Sequence, residues 1–209
     1  MDLIALFPLK SVFIPGESVN LHIFEPRYRQ LIEEIDADNK TFGIPYVSES
    51  GVEPICTEFK LDKIVKRYED GKMDISIKGF QLLKIHRYHE TFPGRLYPGG
   101  EIERVEFNSA PDINMNKNII PLIEELYSIL NVNNVKYGDA EMFNTSQVCH
   151  KVGLTLEQEY ELMCLQTETE RAQFVYEHLK KFIKTVRQTQ EIKRKAALNG
   201  HFKMLIPPL

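Results

Sequence analysis

Six histidines, three cysteines and a few serine, lysine and carboxylate neighbours are the side chains in this 209-residue chain that could organise metal binding or group transfer. Their spacing works against each. His86 and His89 lie three apart in a predicted strand, so they point to opposite faces and make a poor shared metal site. Cys149 and His150 adjoin on a predicted helix and diverge by about a third of a turn. No metal site is expected. None of the serines sits in a G-x-S-x-G elbow. Ser146 and Lys151 are five residues apart on a predicted helix, an awkward separation for a Ser–Lys dyad. Glu33-Glu34 and Glu124-Glu125 read as solvated helix faces. The run from Gly94 to Gly100 lacks the Lys-Ser/Thr that grips a β/γ-phosphate, and no G-x-G-x-x-G follows a strand. The expectation is a chain with no catalytic set and no cofactor.

Binding chemistry is better represented. TFPGRLYPGG (91–100) places Phe92 and Tyr97 among two prolines and three glycines. Exposed aromatics in a loop on a rigid scaffold recognise partners well; the alternative is a hairpin whose aromatics fold back on the sheet. NLHIFEPRYRQLIEE (20–34) gathers Glu25, Pro26, Arg27 and Tyr28 where an alternating run gives way to helical spacing. That cluster reads first as a strand-to-helix corner, with Arg27 or Arg29 bordering a binding groove as the second reading. The basic stretch from Lys180 to Lys195 is either an RNA contact or a solvated helix end. The apolar tail HFKMLIPPL (201–209) docks on its own bundle or in another molecule's groove.

Bulk composition excludes several classes. The chain is 43% hydrophobic and 27% charged with net charge −4, as in ordinary globular domains. Charge is uneven: residues 1–107 hold 14 Lys/Arg and 18 Asp/Glu, whereas residues 177–203 hold 8 and 2. The start, MDLIALFPLK, lacks the basic region and long apolar run of a secretory signal. No segment approaches the roughly 20 apolar residues of a membrane span. Cys56, Cys149 and Cys164 are odd in number and widely spaced, which fits reduced thiols in a cytoplasm.

The elements that must position these residues change character near residue 110. Before it, strands are predicted at 3–9, 18–24, 41–47, 58–68, 73–77, 80–88 and 96–107, with the Asp70-Gly71 dipeptide as a tight hairpin turn. One helix interrupts them. Glu25 sits at its N-cap, Pro26 fits its first position, and Tyr28, Leu31, Ile32 and Ile35 form its apolar stripe. After residue 110 the period is helical. Ile119, Leu122, Ile123, Leu126 and Leu130 make one stripe, with Pro121 placed in the first turn. A second helix is predicted from Met142 to Val152, stopped by Gly153. Thr155 with Gln158, and Thr167 with Glu170, read as capping boxes opening a short helix near 156–165 and then a long one. The division is thus a β-rich lobe over 1–109 and a helical lobe over 110–209.

These pieces resemble the Lon substrate-binding domain family, the amino-terminal domain of Lon proteases. LFPLKSVFIPGESVNLHIFEPRYRQLIEE (6–34) is similar to the family's opening run, with Pro8, Pro15, Phe24, Glu25, Pro26, Arg27 and Tyr28 at its marked positions. Phe42-Gly43-Ile44 resembles the strand that follows, and Asp70-Gly71 with Ile75 to Phe80, including Gly79, resembles the hairpin before the closing strands. HKVGLTLEQEYELMCLQTETERAQFVYEHLKKFI (150–183) resembles the family's helices. Where the family often has Gly-x-x-Arg-Phe, this chain reads Gly79-Phe80-Gln81-Leu82-Leu83, so no role for that arginine carries over. The resemblance implies an α+β fold: a PUA-like β-barrel-type lobe with one helix, then a helical bundle with a long last helix. It also implies a non-catalytic module that grips unfolded or flexible protein segments or a specific protein partner. Without an ATPase module or a peptidase dyad, the chain by itself is not expected to be an ATP-dependent protease. An RNA-binding PUA-like protein, disfavoured by the acidic β half, and an adaptor or oligomer assembled through the last helix and tail are the competing expectations.

Overall fold

The computed structural model describes residues 2–132 and 138–203, with side chains through 197. The chain divides into two compact units, Met1–Ser109 with Thr155–Thr167, and Ala110–Leu154 with Glu168–Leu209.

The first unit holds six strands: β1 (Asp2–Leu6), β2 (Ser18–Ile23), β3 (Thr41–Ser48), β4 (Gly51–Arg67), β5 (Met73–His89) and β6 (Gly99–Val105), with helix α1 (Pro26–Asp38) between β2 and β3. Their order is β2-β5-β4-β3-β1-β6, and β6 also pairs with β5. Five strands therefore close into a small barrel while β2 hangs on β5 alone. β1 and β3 run parallel; the other pairings are antiparallel. The two segments predicted at 73–77 and 80–88 are one continuous strand. Gly79 does not break it, because its missing side chain admits Thr57 and Phe59: a Cβ there would lie 2.8 Å from Thr57 Cγ2. Gly43 is a similar close approach, 2.8 Å from Leu6 Cδ2.

α1 starts as the sequence requires. Glu25 is its N-cap with extended backbone, Pro26 opens the first turn, and Tyr28, Leu31, Ile32 and Ile35 are buried. They pack with Phe42, Phe59, Ile75 and Ile77 in one cluster, while Leu6, Cys56, Leu83, Ile85 and Ile102 form a second. Helix α3 (Leu156–Cys164) belongs to this unit and not to the helical one, contrary to a cut at 109/110. Its Thr155–Gln158 capping box is present. Its tyrosine and methionine faces address the sheet: the Ile55 amide donates to the Tyr160 hydroxyl at 3.1 Å, and Tyr46 donates to Glu157 at 3.2 Å. Periodicity reveals a helix without revealing what it packs on.

The second unit is built on α2 (Ile113–Leu130) and α4 (Glu168–Lys203). α2 begins earlier than its stripe suggested. Asp112 caps it by accepting from the Met115 amide, so Pro121 lies inside the helix, not in its first turn. The helix predicted over 142–152 is replaced by two 3-10 turns, Thr145–Gln147 and Cys149–Lys151. Buried side chains outcompete the helical ladder there. The Asn116 amide donates to the carbonyls of Ala140 and Phe143, each at 2.8 Å, and Glu168 takes the Thr145 amide at 2.6 Å. The apolar tail at 204–209 lies outside the described residues.

Candidate functional site

The loop from Thr91 to Pro98 is bound to α1 by polar contacts. Glu34 accepts from the Tyr97 hydroxyl at 2.6 Å, pairs with Arg95 at 2.7 Å and receives Gln30 at 3.0 Å. Gln30 in turn accepts from the Leu96 amide at 3.0 Å. The loop closes on itself as the Phe92 amide donates to the Tyr97 carbonyl. Phe92 lies against Gly99, where any Cβ would come within 2.2 Å of its ring. Between this loop, the end of α1, β1 and Arg104 of β6 opens a groove of about 640 Å³.

Its lining mixes apolar and charged groups. Leu3, Ile35 and Phe92 supply apolar surface, and Leu3 is 47% exposed. Among the described residues three cations line it, and each has a carboxylate partner: Lys40 with Asp38 at 2.6 Å, Arg95 with Glu34 at 2.7 Å, Arg104 with Asp2 at 2.6 Å. The Lys40 ammonium holds the Asp38 carboxyl below its usual range. Burial, then the hydrogen bond to Glu34, pushes the Tyr97 phenol up to about 12, so it is a neutral donor at physiological pH. The groove thus offers apolar contact, satisfied charges and little net field. None of these groups is arranged as nucleophile and base.

The structure sorts the sequence-predicted residues. Tyr97 is not an exposed loop aromatic; it is 5% exposed and belongs to the core around α1. Phe92 is half-buried, its ring centroid 5.9 Å from that of Tyr97. The loop folds back on the unit, and both rings line the groove. Arg27 and Arg29 stand elsewhere. Arg27 pairs with Glu25 at 2.9 Å and covers the Tyr28 ring. Arg29 donates to the Asp70 carbonyl at 2.7 Å, tying α1 to the β4–β5 turn. Pro15, Tyr28, Gly43 and Gly79 are buried, Pro8 and Glu25 are half-buried, and Pro26 and Phe24 are exposed. Asp2, Leu3, Glu34, Asp38 and Arg104 escaped the sequence reading, because they meet only when β1, α1 and β6 come together.

The profile of the family described as the ATP-dependent protease La (LON) substrate-binding domain matches residues 4–181. The chain belongs to this family. Two solved structures of Lon N-terminal domains have a similar fold. The Lon N-terminal domain protein from Xanthomonas campestris has a TM-score of 0.64 at 20% identity, covering 83% of this chain and 96% of its own. The N-terminal domain of the Mycobacterium avium complex Lon protease has a TM-score of 0.60 at 15% identity, covering 86% and 98%. Among curated protein sequences nothing matches. At these identities the likeness carries the fold: a barrel-type β unit followed by helices with a long last one.

For a Lon substrate-binding domain the family assigns substrate recognition as the general role. Among the described residues no helix is long and apolar enough to cross a membrane.

Proposed function

We propose that this Lon-type domain is a non-catalytic module that holds unfolded or flexible segments of other polypeptides in the groove between α1, β1 and the 91–98 loop. The observation that carries the reading is the pairing of every described groove cation with a carboxylate beside exposed Leu3 and half-buried Phe92. A polypeptide side chain gains apolar contact there, whereas a phosphate backbone finds no uncommitted cation among the described lining residues. That balance favours polypeptide over RNA at this site. Free Cys56, Cys149 and Cys164 support a reducing compartment, the cytoplasm.

The test is fluorescence anisotropy with a labelled unfolded polypeptide of low net charge, at low and high salt. Binding is expected at both salts, because apolar contact is not screened. Leu3→Asp and Phe92→Ala, each checked for a native circular dichroism spectrum, are expected to weaken it roughly tenfold. Unchanged affinity in both variants, or binding that vanishes at high salt, would overturn the reading.

A further inference from the structure

β2, the first half of β5 and the second half of β4 leave the barrel as a three-stranded wing. β2 pairs only with β5, and β4 beyond Lys60 has no partner but β5. Register places Lys60 opposite Lys78, Lys63 opposite Ser76 and Lys66 opposite Asp74. The irregularities at Leu61/Lys63 and Ile64/Lys66 each insert one residue in β4. Lysines three apart in sequence therefore meet alternate residues of β5 and share one face. All four lysines on that face are exposed. Lys66 covers the Tyr68 ring, whereas Lys60, Lys63 and Lys78 form no ion pair with a described residue. Of the anions nearby, Asp74 is held by His22 at 2.6 Å and Tyr68 at 2.7 Å, and Asp62 is exposed on the first bulge.

Bulges and lysines commonly defend an open strand edge, which accounts for Lys63 and Lys66. Edge defence does not account for Lys60 and Lys78. Lys60 lies between Thr41 and Lys78, and Lys78 between Lys60 and Ser18, so each sits on a strand paired on both sides. Like charges directly opposite in a sheet destabilise it. We propose that this face docks extended polypeptide segments carrying acidic residues at alternate positions. The inference rests on the polypeptide-binding reading and names the class of segment. Each step along the lysine row spans two residues of β5, about 7 Å, which is also the separation of alternate side chains in an extended peptide. Lys60 is the register partner of Thr41, which lines the groove, so the row begins at the groove's rim. A client with an acidic stretch beside an apolar one engages both surfaces.

Anisotropy with the full chain tests this, using a labelled peptide of alternating Asp and Ser and an equal-length peptide of alternating Asn and Ser. Labelled oligothymidylate and the neutral unfolded polypeptide complete the set. The Asp peptide is expected to bind more tightly than the Asn peptide and to weaken steeply with salt. The combined Lys60→Gln, Lys63→Gln and Lys78→Gln variant is expected to lose roughly tenfold or more of that affinity while keeping its hold on the neutral polypeptide. An Asp peptide no tighter than the Asn peptide, or an unaffected triple variant, would overturn the inference. So would oligothymidylate binding more tightly through the same lysines, which would assign the face to nucleic acid. Failure of the neutral polypeptide alone counts against the groove and leaves a lysine-dependent acidic-peptide signal in support of the face.

Discussion

Glu58 sits on β4 with its side chain buried, accepting from Thr41 at 2.5 Å, from Gln81, and from Arg104 through both Nε and Nη2 at 3.0 Å. Burial alone would raise this carboxyl, but the bonds from Arg104, Thr41 and Gln81 outweigh it and leave it below the usual range. A carboxyl depressed in the folded state contributes stability above its unfolded value, and that contribution fades as pH falls through the folded one, below the ordinary glutamate range. Arg104→Leu leaves the buried carboxylate without its cation and is expected to cost about 3 kcal/mol at neutral pH. In the variant the carboxyl shifts upward, so protonation relieves it, and the gap to wild type should narrow on acidification from pH 7 to about 4. Thermal melts of both proteins across that range check the sign. A gap that is constant with pH would remove Glu58 as the group responsible. None of this was legible in the sequence: Asp2, Thr41, Glu58, Gln81 and Arg104 are too scattered to form a motif.

At the scale of elements, what the sequence reveals depends on whether one period governs a segment. α1 was legible residue by residue, because its cap, its proline and its four-residue stripe agree with the surface it meets. β4 was not. From Lys60 to Arg67 it reads KLDKIVKR, a period of three that suits neither an alternating strand nor a helix, because two bulges reset its faces. The 142–152 helix failed for another reason: Asn116 and Glu168, distant in sequence, take the polar groups a helix would have paired internally. Gly79 concerns both the strand and its packing. It lies within an unbroken β5 and reads locally as an interruption, yet it is needed because Thr57 and Phe59 occupy the space of its Cβ. Gly79→Ala is therefore expected to destabilise the barrel unit by about 1–3 kcal/mol, although alanine suits a strand no worse than glycine. A denaturation midpoint equal to wild type would mean that Thr57 and Phe59 yield freely.

At the scale of the molecule, family membership and fold were legible from the opening motif, whereas the assignment of α3 to the β unit was not, since it depends on Tyr160 and Glu157 finding strands far away in sequence. α4 packs along only part of its described length. Ala172, Val175, Leu179 and Ile183 are buried in the helical unit, and the last hydrogen bond to α2 among the described residues is the Gln190 amide on the Ile129 carbonyl at 2.6 Å. From Gln188 to Ala197 every described side chain is exposed, Ile192 to 67%. A helical stretch of this length is marginal in water when nothing packs on it. The i,i+4 pair of Glu191 with Lys195 at 2.8 Å adds only about 0.3–0.5 kcal/mol. Residues 188–197 therefore do little for the stability of their own unit, and Ile192→Ser is expected to leave the melting temperature unchanged; the larger change is truncation after Ile192. Its effect on association discriminates between roles. If α4 and the tail join copies of the chain, truncation lowers the mass measured by light scattering at the concentration where the full chain associates. If the full and shortened chains have the same state and bind the neutral polypeptide equally well, the adaptor reading is lost, and recognition rests with the β unit and its groove.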